Sequence, residues 1–137
     1  MDTKERLKYF YETVSASGTD GAFADYISPD CTLCIGEARI PIGVEGMAEH
    51  MTAVLQTYPD FHMRITRQLR DGDYIISEFI AEGTHRGEWL GMKPSGKKVT
   101  LTGVDIDKVV DGKIVEHGGA VNTFEGLWEA GLIVPAP

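Results

Sequence analysis

Two β-branched runs, Val99 to Val110 and Lys113 to Thr123, flank Asp111-Gly112, and this pairing constrains the chain more than any other stretch. An Asp-Gly dipeptide between alternating apolar runs predicts a β-hairpin, since the tightest hairpin turns need residues that accept positive φ. The same hairpin carries Asp105, Asp107, Glu116, His117 and Asn122 where a sheet would otherwise prefer apolar side chains. They form either a solvated face or a site.

Register separates the two. A two-residue type I′ turn at Asp111-Gly112 sets Val110 against Lys113, puts Asp105 opposite Gly118 and sends His117 through the sheet. A type I turn at Val110-Asp111 with Gly112 as a left-handed bulge sets Val109 against Lys113 and Asp105 directly across from His117. The bulge register is expected, because the I′ turn places Asp111 as well as Gly112 at positive φ, and only Gly adopts that freely. Val99, Leu101, Gly103, Asp105 and Asp107 then share a face with His117, Gly119 and Val121. An Asp facing a His, with Gly103 and Gly119 leaving space, predicts an acid/base pocket.

The remainder of the chain bounds what that pocket serves. A chain of 137 residues is expected to be a single domain, 1–137, large enough to bury a core. A net charge of −8 offers no cationic footprint for nucleic acid or anionic membrane. No run approaches the roughly 18 consecutive apolar residues of a membrane span. The first residues, MDTKERLKYFYETV, are charged where an export signal would be apolar, so a cytoplasmic location is expected.

Asp2 and Glu5 form a capping-box pattern ahead of Leu7, Phe10, Tyr11 and Val14, which predicts an amphipathic helix ending near Ser17-Gly18. A shorter helix is expected from Asp20 to Tyr26, stopping before Pro29. Cys31 to Ile35 and Ala38 to Ile42 read as short strands around Gly36. From Gly43 to Tyr58, the positions Val44, Met47, Ala48, Met51, Val54, Leu55 and Tyr58 trace a helical stripe. Strands are predicted at Phe61 to Leu69 and Tyr74 to Thr84, then the central hairpin, then a closing helical turn around Phe124, Leu127 and Trp128. Helices followed by long antiparallel strands imply an α+β domain: a curved, mostly antiparallel sheet wrapped around N-terminal helices, with a concave mouth suited to a ligand.

Other motifs carry less. Cys31 and Cys34 sit three apart on a predicted strand, roughly 10 Å from one another and on opposite faces, too far for a disulfide. They read as two small buried residues. Gly91 to Lys98, GMKPSGKK, falls one residue short of a phosphate loop and leads into a strand rather than a helix. His50, His62, His85 and His117 include no metal-binding pair of the HExxH kind, so no metal and no cofactor is expected. His62 is expected at the surface and His85 to orient a loop. The residues expected to line an apolar pocket with Asp105 and His117 are Tyr11, Tyr26, His50, Phe79, Trp89, Leu101, Gly119 and Asn122.

YPD at Tyr58 to Asp60, GTHRGEWLGMKPSGKKVTLTGVDI from Gly83 to Ile106, DGKIVEH from Asp111 to His117 and the GLWEAG ending at Gly131 together resemble the SnoaL-like polyketide cyclases of the nuclear transport factor 2-like superfamily. The resemblance implies a cone-shaped α+β barrel, a homodimer formed through its sheet, and a cavity for an apolar or aromatic small molecule. It also implies an aldol-type ring closure without metal or cofactor, using an Asp on the last strand and an assisting His on the strand before. Carried across the shared D-G-K-I turn, those two positions fall on Gly119 and Asp105. The usual residues are absent, and an inverted pair, Asp105 as proton carrier beside His117, is the expected substitute.

Overall fold

The computed structural model describes residues 1–17 and 20–137. The Asp2–Glu5 capping box forms in both directions: Glu5 N donates to Asp2 Oδ1 at 2.8 Å and Asp2 N donates to Glu5 Oε2 at 3.1 Å. It starts α1 (Thr3–Tyr9), but the α-helix is shorter than its apolar spacing predicts. The chain widens into a π turn over Phe10–Val14 and then tightens into a 3₁₀ turn over Ser15–Ser17. Gly18, where the sequence places the end of this helix, lies outside the described residues. A 3₁₀ segment, Asp20–Asp25, stands in place of the predicted second helix, and strand β1 (Ile27–Ile35) begins earlier than predicted and runs through Pro29.

Strand β2 (Ala38–Pro41) pairs with β1 before helix α2 (Gly43–Thr57), whose bounds match its apolar stripe. Strands β3 (His62–Asp71), β4 (Tyr74–Thr84), β5 (Lys98–Val110) and β6 (Lys113–Asn122) follow, and a short helix, α3 (Phe124–Glu129), closes the order. The six strands form one curved sheet in the order β2-β1-β6-β5-β4-β3. Among the described residues only the β1–β6 pairing is parallel, which joins the start of the sheet to its last strand.

Helix α2 packs on β1, while α1 and the π turn pack on β3 and β4. Between them sits a core built on Leu7, Phe10, Phe23, Ile27, Ile75 and Ile114. Phe10 is its hub, with ring centroids 5.1 Å from Tyr11, 5.4 Å from Phe23 and 5.3 Å from Tyr26. The two edge-on pairs, with Tyr11 and Phe23, each add about 1 kcal/mol beyond the area they bury. Arg6 lies over the Tyr26 ring at 4.3 Å and hydrogen-bonds the carbonyls of Asp25 and Gly112, so the first helix is tied to the tip of the central hairpin.

That hairpin differs from the expected register. Asp111 (φ 52°) and Gly112 (φ 77°) both occupy the left-handed region, and Val110 pairs with Lys113, the type I′ arrangement. Asp tolerates this conformation better than most non-glycine residues, and the I′ turn matches the natural twist of the strands. A bulge is nevertheless present, displaced into the strand: Val109 pairs with Ile114 but Lys108 with Glu116, leaving Val115 as the extra residue. The bulge reverses the alternation of β6. Ile114 points into the core before it, and His117 points to the inner face after it. Asp107 therefore stands across from His117, and Asp105 across from Gly119. The predicted face is recovered, but the predicted direct Asp105–His117 pair is replaced by Asp107–His117.

Candidate active site

Asp107 is fully buried and holds the centre of a polar cluster at the closed end of the concave face. Its Oδ1 lies 2.7 Å from His117 Nδ1, and the Tyr11 hydroxyl donates to its Oδ2 at 2.6 Å. The same hydroxyl is 3.3 Å from His117 Nδ1. The π turn positions Tyr11: an extra residue in the helical repeat rotates the side chains that follow it, a distortion recurrent at functional sites. Both carboxylate oxygens of Asp107 are thereby satisfied, and Nδ1 of His117 is committed to them. The other imidazole nitrogen remains available to the cavity.

These contacts set the protonation of the cluster. Burial alone would push the His117 imidazole down, but its hydrogen bond to Asp107 and the charges of Asp107 and Asp105 prevail and raise its pKa. Tyr11 is pushed well above the ordinary phenol range, first by burial and then by the two carboxylates. Asp105 reaches about 7, because burial and the neighbouring Asp107 charge disfavour its ionised form more strongly than His117 favours it. Its Oδ2 is buried and finds no hydrogen-bond partner among the described residues. A carboxyl in that condition exchanges its proton near neutrality, the requirement for an acid/base group.

Asp105 and His117 both face a cavity of about 530 Å³. Met47, Met51 and Val54 of α2 form one wall; Met63, Phe79 and Leu101 of the sheet form the other. Tyr11, His50 and Ser15 join the two acid/base candidates at the polar end, while Glu88, Trp89 and Leu90 form part of the lining from the β4–β5 loop. The root of that loop is pinned to the end of α2, where Arg86 N and Gly87 N both donate to the Thr57 carbonyl. A Cβ on Gly87 would sit 2.0 Å from the Gln56 carbonyl oxygen, so only glycine permits this approach. His85 holds the other side of the root, its backbone bonded to Lys97 and Gly96 and its Nδ1 3.0 Å from Ser95 Oγ.

Of the residues expected at the pocket, Tyr11, His50, Phe79, Trp89, Leu101, Asp105 and His117 line the cavity. Three lie outside its lining. Tyr26 is engaged by Phe10 and Arg6. Asn122 is exposed, and its Oδ1 accepts from Glu125 N at 3.5 Å at the start of α3. Gly119 (φ 130°) has its backbone so close to β5 that a Cβ would fall 2.0 Å from the Val104 carbonyl oxygen. Backbone occupies the space that a side chain at this position would need.

Sequence reasoning placed Asp107 on the correct face without a role. The signal was its alternation with Asp105, but only the bulge at Val115 identifies which of the two meets His117. The methionines of α2 were legible as an apolar stripe, and nothing in their spacing distinguishes a packed face from a cavity wall. Cys31 and Cys34 are free; Cys31 is buried and Cys34 half-buried. Among the described residues, no three His, Cys, Asp or Glu side chains are arranged to hold a metal ion, and no Lys or Arg lines the cavity.

A curved sheet closed over helices, with an apolar cavity whose polar groups converge at one end, is the α+β architecture of the nuclear transport factor 2-like fold. Within that fold the chain belongs to the SnoaL-like polyketide cyclase family, whose profile matches residues 5–126. It is similar to AclR of Streptomyces galilaeus, a proposed hydroxylase, with 25% identity and a TM-score of 0.78 over 99% of this chain and 91% of that one. IdmH of Streptomyces antibioticus, a proposed polyketide cyclase, shares 24% identity with a TM-score of 0.82 over 96% of this chain and 99% of that one. A proposed polyketide cyclase of Acidithiobacillus ferrooxidans has the same fold, with 19% identity, a TM-score of 0.82 and 96% of each chain covered. No curated protein matches the chain. Among the described residues, no helix is long and apolar enough to cross a membrane.

Proposed function

We propose that this protein is an enzyme of the cyclase, isomerase or lyase kind that moves a proton on an apolar or aromatic small molecule without a cofactor, with Asp105 as the proton carrier. The observation that carries this reading is the Asp105 carboxyl itself: buried, facing an apolar cavity, with one oxygen unpartnered and a pKa of about 7. Leaving such a group without a partner costs stability, and a structural role would be served better by an apolar residue.

In this reading the ionised Asp105 takes a proton from a carbon next to a carbonyl. The C–H electron pair becomes the new carbon–carbon π bond, and the carbonyl π pair moves to oxygen. The proton then returns to carbon or to the oxygen, which leaves Asp105 ionised again. Asp107 raises the pKa of His117, and the protonated imidazole places positive charge beside Asp105 and limits how far its pKa rises. Asp107 and Tyr11 are positioning residues: they hold the imidazole and do not reach the cavity centre through any free donor of their own.

The test uses 2-tetralone, a bicyclic ketone with an acidic C–H beside its carbonyl, in deuterated buffer. The protein should accelerate exchange of that hydrogen, and Asp105→Asn should abolish the acceleration while binding of the ketone persists. Equal loss of exchange, binding and folding would reduce Asp105 to a structural role and leave a non-catalytic binding module. The homodimer belongs to the same reading: Ile106, Val110 and Tyr74 are exposed on the sheet face away from the cavity, where a second copy would cover them. A monomer by sedimentation at micromolar concentration would remove that part alone.

A further inference from the structure

His50 stands apart from the cluster around Asp107. It projects from α2, the wall facing the sheet, and lines the cavity together with Asp105 and His117. Other polar side chains at this end of the cavity are already committed. The Tyr11 hydroxyl donates to Asp107, Ser15 Oγ donates to the Tyr11 carbonyl at 2.7 Å, and His117 Nδ1 is held by Asp107. Further along the wall, Thr57 Oγ1 donates to the Ala53 carbonyl at 3.3 Å. The His50 imidazole has no such partner, yet it lies close enough to His117 to feel its charge.

We infer that His50 is a second catalytic residue, an uncharged hydrogen-bond donor that holds the substrate's carbonyl oxygen while the sheet side of the cavity handles the proton. This rests on the proton-transfer reading above and assigns the oxygen's binding site within it. The chemistry requires a donor there: as the proton leaves carbon, negative charge collects on the oxygen, and a donor already aimed at that point stabilises the charge without reorganising.

Two imidazoles on facing walls are suited to different tasks because their surroundings differ. Asp107 and Asp105 on β5 and Tyr11 on the π turn surround His117, with Cys31 of β1 also near Asp107. Among the described residues no carboxylate pairs with His50; it is exposed at the cavity wall, and the partial burial it does have, together with the neighbouring His117 charge, pushes its pKa below the ordinary histidine value. The lowered pKa favours the neutral ring, which keeps one N–H to donate. Groups whose environments drive them apart in this way divide acid, base and donor roles between them.

The exchange of 2-tetralone distinguishes this assignment from the one beneath it. Wild type, Asp105→Asn, His50→Gln and His50→Leu are compared across pH, with naphthalene binding as the check that each cavity is intact. His50→Leu should lower the maximal exchange rate by about a hundredfold or more, as loss of one oxyanion donor does. The pH at which activity rises, which reports Asp105, should stay where it is, and naphthalene affinity should be unchanged. His50→Gln, whose amide can donate, should recover part of the rate. If wild type exchanges the ketone and both His50 variants match it, or if they shift the pH limb without lowering the plateau, the donor role is overturned and Asp105 stands. If wild type exchanges no faster than Asp105→Asn, both assignments fall.

Discussion

Replacing Asp105 by Asn should make the protein more stable, and increasingly so as pH rises. The folded-state pKa of Asp105, about 7, lies above the ordinary value of 3.8. Between those values an unfolded chain releases the proton that the folded chain retains, so rising pH favours unfolding. The loss begins near the unfolded pKa and is complete once pH exceeds the folded one. At 1.36 kcal/mol per pH unit, ionisation of this side chain costs about 2 kcal/mol at about pH 5 and about 4 kcal/mol at about pH 8.5. Asn carries no proton to lose. Its own misfit at the orphan oxygen is the same at both pH values, so the stability difference between variant and wild type should move by about 3 kcal/mol in the variant's favour over that interval.

Urea titrations at the two pH values measure the difference directly through the unfolding midpoints. Thermal melts should show it as a shift of roughly 4 °C per kcal/mol for a chain of this size. His117 also loses stabilisation as pH rises through its raised pKa. That contribution persists in the variant and largely cancels in the comparison. A difference that stays constant across pH, or shifts against the variant toward alkaline pH, would refute the claim that Asp105 is buried and carries its proton near neutrality.

Asp107→Asn should drop the His117 pKa below 6.5, the value it exceeds only because of its carboxylate neighbours; histidine ring resonances followed by NMR across pH would register the fall. Tyr11→Phe removes the donor from a fully buried carboxylate oxygen and should cost about 1–3 kcal/mol by denaturant titration, with little change in cavity volume. Gly119→Ala should destabilise by about 3 kcal/mol or more, since the residue sits at positive φ and its Cβ would meet the Val104 carbonyl; a mild effect would mean that the strands separate easily there.

The architecture was legible because local rules and global fold agree along most of the chain. The α2 stripe from Val44 to Val54 is regular enough to set that helix nearly to the residue, and the capping box at Asp2 and Glu5 marks where the first helix begins. The long strands alternate cleanly, so β4 has the bounds its pattern predicts. Agreement failed at the first helix, where the helical placing of Leu7, Phe10, Tyr11 and Val14 conceals the π turn over Phe10–Val14. Nothing in FYETV announces that turn; it is maintained by what Tyr11 reaches once the sheet is in place.

From the amino acids alone follow the α+β class, the hairpin at Asp111-Gly112, and the placement of Asp105 with Asp107 on one face, because periodicity is encoded within a few neighbouring residues; His117 joins that face through the bulge at Val115 and not through the turn type expected. Which carboxylate grips the imidazole and which is left unpartnered at the cavity were decided only in three dimensions. A single extra residue at Val115 shifts every cross-strand partner beyond it, and the burial that governs each proton comes from segments distant in the chain.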